Sequence, residues 1–128
     1  MTYRRKRYVS SHAVKALRER FAISATGDRD LGNLLDEAVD VGFRPATVRR
    51  IVHKGEECFI VPIDHKFPHL YAAVTESSEG CRFRESIRTV LTRAQVDESI
   101  RTGKWDGYYQ KSTGPLRASI GDQLRRKA

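Results

Sequence analysis

The spacing of apolar residues changes at Gly42, and this change limits the folds open to the chain. Before it, apolar residues recur three and four positions apart, at Leu31, Leu34, Leu35, Ala38 and Val39. This is the spacing of one face of a helix. After it come four short apolar or β-branched runs separated by turn residues, a pattern typical of strands. The sequence therefore predicts an α+β fold in which four consecutive strands form an antiparallel meander.

Capping and turn residues predict where the other elements begin and end. Residues 4–10 are expected to form a first strand, and Ser10 or Ser11 is expected to cap a helix over about residues 12–22. Asp28 or Asp30 is expected to cap the second helix, which ends at Gly42. The four strand runs are residues 47–53, 58–63, 70–75 and 82–91.

A third helix is predicted directly after the last strand. Thr92 opens a Thr-x-x-Gln capping box, and Gly103 is expected to end the helix. We expect the helices to pack on one side of the sheet and the other side to stay partly open. The predicted domain spans residues 1–103, followed by a basic, aromatic-containing tail over residues 104–128.

The tail is rich in glycine and poor in apolar residues, so we expect it to be mobile in the free protein and ordered on a partner or a second copy. Its aromatic residues Trp105, Tyr108 and Tyr109 lie among lysines. They either anchor the tail on the core or form a stacking or partner-binding element.

Positive charge is concentrated at the two ends of the chain. The first twenty residues hold seven Lys or Arg against one acid, the last 28 hold seven against two, and the whole chain carries +8. This distribution favours a polyanion or an acidic protein as the partner.

Other classes of protein are disfavoured by the sequence. No apolar run approaches the roughly 20 residues of a membrane span, and no apolar stretch follows the basic N-terminus as in a signal peptide. Cys58 and Cys81 do not form a disulfide framework, and the histidines are scattered. We therefore expect a cytoplasmic protein without a membrane partner, metal or cofactor.

The predicted order of elements resembles the small RelE/ParE-like toxin superfamily. Residues 11–20 look like the His-Ala…Arg-x-Arg opening of toxin-like and phage-encoded relatives, and residues 87–92 look like their closing strand. The resemblance covers residues 3–103 in element order. It implies a metal-independent endoribonuclease, in which side chains on the open sheet face position the 2′-hydroxyl and offset phosphate charge.

The resemblance implies catalytic roles for His12, Arg84 and Arg88. In the alternative interpretation His12 has a structural role, as a residue of the first helical turn that helps to cap or pack the helix. Arg84 and Arg88 have the same strand parity, so they form either a solvated face or a phosphate-binding row that Arg49 joins. Glu56 and Glu57 depart from the pattern, because carboxylates near a phosphate site repel it.

The leading hypothesis is a small RNA-directed protein. In the catalytic version of this hypothesis the protein is an endoribonuclease. The alternative is a non-enzymatic phage-type or accessory protein that binds a host protein or ribonucleoprotein assembly through its basic ends, with the tail as a further protein contact. A purely structural component is a third possibility. The expected nucleic-acid contacts are Arg4, Arg5, Lys6, Arg7, Arg49, Lys54, Lys104, Tyr108 and Tyr109. The run from Arg4 to Arg7 is alternatively a solubilising edge.

Overall fold

The computed structural model describes residues 4–21, 26–44, 48–53, 55–77, 80–105 and 107–109, without the side chains of residues 53 and 107–109. These ranges contain three helices and a six-stranded sheet. In chain order the elements are β1 (Tyr8–Val9), α1 (Ser11–Phe21), α2 (Asp28–Gly42), β2 (Arg49–His53), β3 (Glu56–Pro62), β4 (Leu70–Glu76), β5 (Glu85–Thr92), α3 (Arg93–Arg101) and β6 (Gly107–Tyr109).

The sheet has the strand order β1-β5-β4-β3-β2-β6. The α+β class is confirmed, and β2 to β5 pair consecutively and antiparallel. The expectation of a four-stranded antiparallel sheet is wrong, because the sheet is mixed and wider. After β1 the chain crosses the sheet through α1 and α2, and β1 lies parallel to β5. Strand β6 pairs with the free edge of β2. Strands β1 and β6 have two and three residues, which is too few for an alternating pattern that would predict their pairing.

Helix α1 is fixed to β5 at its first turn by Ser10. The Ser10 hydroxyl accepts a hydrogen bond from the Ala13 backbone N–H at 3.0 Å, which is the expected cap. The same hydroxyl donates to the Arg88 carbonyl oxygen at 3.0 Å. One side chain therefore caps the helix and holds it on the strand.

Helix α2 begins differently from the prediction. Its N-cap is Gly27, without a side-chain cap, so the assignment of Asp28 or Asp30 as the cap is wrong. Both aspartates lie in the first turn, where the helix dipole favours negative charge. At the other end, a Cβ on Gly42 would collide with the Pro62 carbonyl oxygen, so only glycine fits where α2 meets the end of β3.

Helices cover both faces of the sheet, so the prediction that they share one side is wrong. Helices α1 and α2 cover the helix-pair core, whose members include Ala13, Leu17, Leu31, Leu35, Phe59, Val61, Val74 and Ile87. Helix α3 covers the opposite face, where the smaller α3 core contains Ile51, Cys58, Ile60, Ala73 and Val96. A register shift changes which residues of β5 face each side of the sheet, because Arg88 is an extra residue between the pairs Val74–Ile87 and Ala73–Thr89.

Both ends of α3 follow the sequence prediction closely. The Thr92 hydroxyl accepts from the Gln95 backbone N–H at 3.1 Å, and the Gln95 side chain accepts from the Thr92 N–H at 2.9 Å. After the last helical residue, Gly103 has φ +69°, and the Lys104 N–H donates to the Ser99 carbonyl at 3.0 Å. This Schellman turn reverses the chain, so that Trp105 packs against the α3 core.

Trp105 is therefore half-buried, as expected if the aromatic residues anchor the tail on the core rather than leave it mobile. Backbone pairing continues to Tyr109, which lies opposite Arg50 in the sheet. The remainder of the predicted tail, residues 110–128, lies outside the described residues.

Candidate nucleic-acid interface

The four consecutive basic residues at the N-terminus have different environments. Arg7 is only 2% exposed. Its Nε donates to Glu85 Oε1 at 2.9 Å, and its Nη1 lies 3.5 Å from Asp36 Oδ1 and 3.4 Å from Asp40 Oδ1. The guanidinium carbon lies 5.5 Å from the centre of the Phe43 ring. The assignment of Arg7 as a nucleic-acid contact does not fit this burial, because its charge is already matched by carboxylates of the same chain.

Lys6 belongs to the same group of charges. Its backbone N–H donates to Asp36 Oδ2 at 2.8 Å, and its Nζ lies 3.0 Å from Asp40 Oδ2. The Lys6 side chain is on the surface, but its charge is offset by Asp40. We call Lys6, Arg7, Asp36, Asp40 and Glu85 the Arg7 cluster.

Arg4 and Arg5 have the opposite environment. They line a cavity of about 330 Å³ together with Arg29, Asn33, Arg82 and Phe83, which we call the arginine cavity. Among the described residues that line it there are four arginines and no carboxylate. Arg5 is held in place by its own hydrogen bonds, from Nε to Asn33 Oδ1 and from Nη2 to the Arg29 carbonyl, each 3.1 Å long.

The arginine cavity has the chemistry of a phosphate site. Guanidinium groups present paired N–H donors that match phosphate oxygens. Arg29 lies in the first turn of α2, the positive end of the helix dipole. Of the two acids in that turn, Asp28 is bound by Arg18, whose Nη2 lies 2.6 Å from Asp28 Oδ1. The half-exposed Phe83 ring adds an aromatic surface against which a base can stack.

Sequence reasoning found Arg4 and Arg5 but missed Arg29, Asn33, Arg82 and Phe83. Arg29 and Asn33 lie 24 and 28 positions from Arg5 in the chain. Only the packing of residues 4–9 between α2 and β5 brings them together. Their one signal in the sequence is the positive charge of Arg29 and Arg82.

Of the three residues expected to be catalytic, Arg88 lines the α3 cavity described below. His12 is exposed on the first turn of α1, and Arg84 is exposed just before β5 begins. Neither is among the described residues that line the arginine cavity or the α3 cavity described below. Strand β5 starts at Glu85, just after Arg84, and its extra residue at Arg88 interrupts the regular strand expected over residues 82–91. Their catalytic role remains a prediction.

The other expected contacts are not among the described residues that line the arginine cavity. Arg49 lies in β2, with its guanidinium carbon 5.9 Å from the centre of the Tyr71 ring. Lys104 lines the α3 cavity. Tyr108 and Tyr109 lie on β6 opposite Ile51 and Arg50, while Lys54 lies outside the described residues.

The α3 cavity encloses about 240 Å³ between the sheet and the end of α3. Its lining is Ile51, Glu56, Cys58, Ile60, Ala73, Thr75, Arg88, Thr89, Leu91, Ser99, Lys104 and Trp105. Burial, with a smaller contribution from the Glu56 carboxylate, raises the pKa of the Cys58 thiol to about 12 despite the lowering effect of Arg88. The thiol therefore stays neutral at physiological pH and is not a nucleophile.

Within the described ranges, His, Cys, Asp and Glu side chains form no group of three that could hold a metal ion. No helix in that part of the chain combines the length and apolar character needed to cross a bilayer.

Comparison with known proteins gives no match, whether to models of protein families, to curated proteins or to solved structures.

Replacing Arg7 with Met should destabilise the fold by about 3–5 kcal/mol, because two buried carboxylates lose their cation. Replacing Arg18 with Met removes a more exposed pair with Asp28, and should cost less than about 1 kcal/mol. Urea unfolding of the two variants measures the difference. Equal losses would contradict a structural role for Arg7.

The Cys58 thiol should make stability depend on pH in the alkaline range. Above pH 9.0 the unfolded thiol ionises, whereas the folded thiol keeps its proton to about pH 12. Its stabilisation is therefore complete below pH 9.0 and is lost as pH rises towards 12. Unfolding can be compared between a Cys81→Ser protein and the same protein carrying Cys58→Val. The difference between their free energies of unfolding should change with pH, and parallel curves would contradict the burial argument.

Proposed function

We propose that this protein binds single-stranded RNA, with the arginine cavity as its main contact. The observation that carries the proposal is the convergence of Arg4, Arg5, Arg29 and Arg82 on one cavity whose described lining holds no carboxylate. Like charges held together repel one another, so an anion stabilises the arrangement by binding there.

The shape of the site favours an unpaired strand. A cavity of about 330 Å³ accommodates a phosphate and part of its nucleotide but not a double helix. Phe83 supports this choice, since a base stacks on an aromatic ring only when it is unpaired. The net charge of +8 adds long-range attraction for any polyanion.

The choice of RNA over DNA rests on the resemblance to the RelE/ParE-like superfamily, which we retain as part of the proposal. The observed order supports it, because one strand and two helices precede four strands that pair consecutively and antiparallel.

The proposal is for binding rather than cleavage. General acid–base catalysis requires a titrating group within hydrogen-bond reach of the reacting phosphate. The described residues that line the arginine cavity include neither His nor a carboxylate.

Fluorescence polarisation of a labelled oligouridylate tests the proposal. If the four arginines engage two phosphates, one of them inside the cavity, raising salt from 50 to 200 mM should weaken binding about sevenfold. The double change Arg29→Gln and Arg82→Gln should weaken binding about tenfold and flatten the salt dependence. Neither residue is part of the Arg7 cluster.

The matched control is the double change Arg93→Gln and Arg101→Gln, which removes the same charge from exposed positions on α3. It should change the affinity for the oligouridylate by less than about twofold, because it alters only the long-range electrostatic attraction. Equal effects of the two double changes would show non-specific attraction and overturn the assigned site. Absence of binding at low salt would overturn RNA as the ligand and favour a protein partner.

A further inference from the structure

The α3 cavity is a second site, separate from the arginine cavity, since the described linings of the two have no residue in common. It lies on the face of the sheet that α3 only partly covers. Nothing in the proposed RNA contact uses it.

The floor of the α3 cavity is apolar. Ile51, Cys58, Ile60 and Ala73 come from three neighbouring strands, and each is buried. The neutral Cys58 thiol behaves here as a small hydrophobic group. The floor therefore suits a hydrocarbon or aromatic body.

The polar residues of the cavity form a charged rim. The Arg88 side chain is 57% exposed, and its Nη1 lies 3.4 Å from Glu56 Oε1 and 3.5 Å from Thr75 Oγ1. Both distances are at the long limit for hydrogen bonds, so these contacts are weak and replaceable. Lys104 adds a second cation, held at the rim by the Schellman turn. With two cations against Glu56, the described rim favours an anionic group.

The volume limits the size of the ligand. An engineered apolar cavity of about 150 Å³ in another protein holds benzene. Pockets for drug-sized ligands are usually about 300–1,000 Å³. At about 240 Å³ the α3 cavity suits a body larger than one benzene ring and smaller than a typical drug.

We propose that the α3 cavity binds a small amphipathic carboxylate, such as a medium-chain or aromatic acid. The apolar body lies against Ile60, Cys58 and the Trp105 ring. The carboxylate accepts hydrogen bonds from Arg88 in place of Glu56, with Lys104 as the nearby second cation.

Three probes with the same chain test the proposal: octanoate, 1-octanol and octylamine. Trp105 is the single tryptophan of the chain, so its fluorescence reports on the cavity wall, and calorimetry gives the affinities independently. Octanoate should bind saturably in the millimolar range and about tenfold more tightly than 1-octanol, as expected for charge-assisted hydrogen bonds. Equal affinities, tighter binding of octylamine or no saturable binding would overturn the proposal.

Two variants locate the site. Arg88→Gln should remove the preference for octanoate over 1-octanol, whereas Arg93→Gln, which changes an exposed arginine outside the described lining, should keep it. Ala73→Leu should fill the cavity and weaken all three probes. If Ala73→Leu does not fold, Arg88→Gln still decides the question, because a preference for octanoate that survives this change would place the carboxylate elsewhere.

Discussion

The buried cation of Arg7 determines where the N-terminal segment lies. Removing a guanidinium and its carboxylate partners from water is costly, and the cost is offset only when the partners are in place together. Arg7 meets Asp36 and Asp40 from α2 and Glu85 from β5, so one side chain joins three parts of the chain. Arg4 and Arg5 precede it by a few residues. They are therefore held beside the first turns of α2, where Arg5 contacts Asn33 and the Arg29 carbonyl.

This arrangement divides the basic N-terminus into two functions. Lys6 and Arg7 are matched by carboxylates and stabilise the fold, while Arg4 and Arg5 line a cavity with two further arginines. The opposite face of the sheet follows a different principle, with an apolar floor and a small charged rim. The extra residue at Arg88 contributes to this second site, because after it Thr89 and Leu91 line the α3 cavity, on the face opposite to Ile87.

Local signals in the sequence predicted the local structure well. The change of period at Gly42, the capping box at Thr92 and the glycine after α3 all depend on residues close together in the chain. The binding surface could not be predicted in this way. Arg7 and Arg4 look alike in the sequence, and the carboxylates that distinguish them lie 29 to 78 positions away. The extra residue in β5 likewise interrupts the expected regular strand without any local glycine or proline to indicate it.

The most direct test of the account is chemical-shift mapping of the full chain with a short oligouridylate. If RNA binds in the arginine cavity, the largest changes in backbone amide shifts should fall on the residues that line it, Arg4, Arg5, Arg29, Asn33, Arg82 and Phe83. Amides of α3 and of the strands beneath it should change little. Changes centred on Arg49, Tyr71 and Arg88 instead would place the RNA on the opposite face of the sheet and contradict the account.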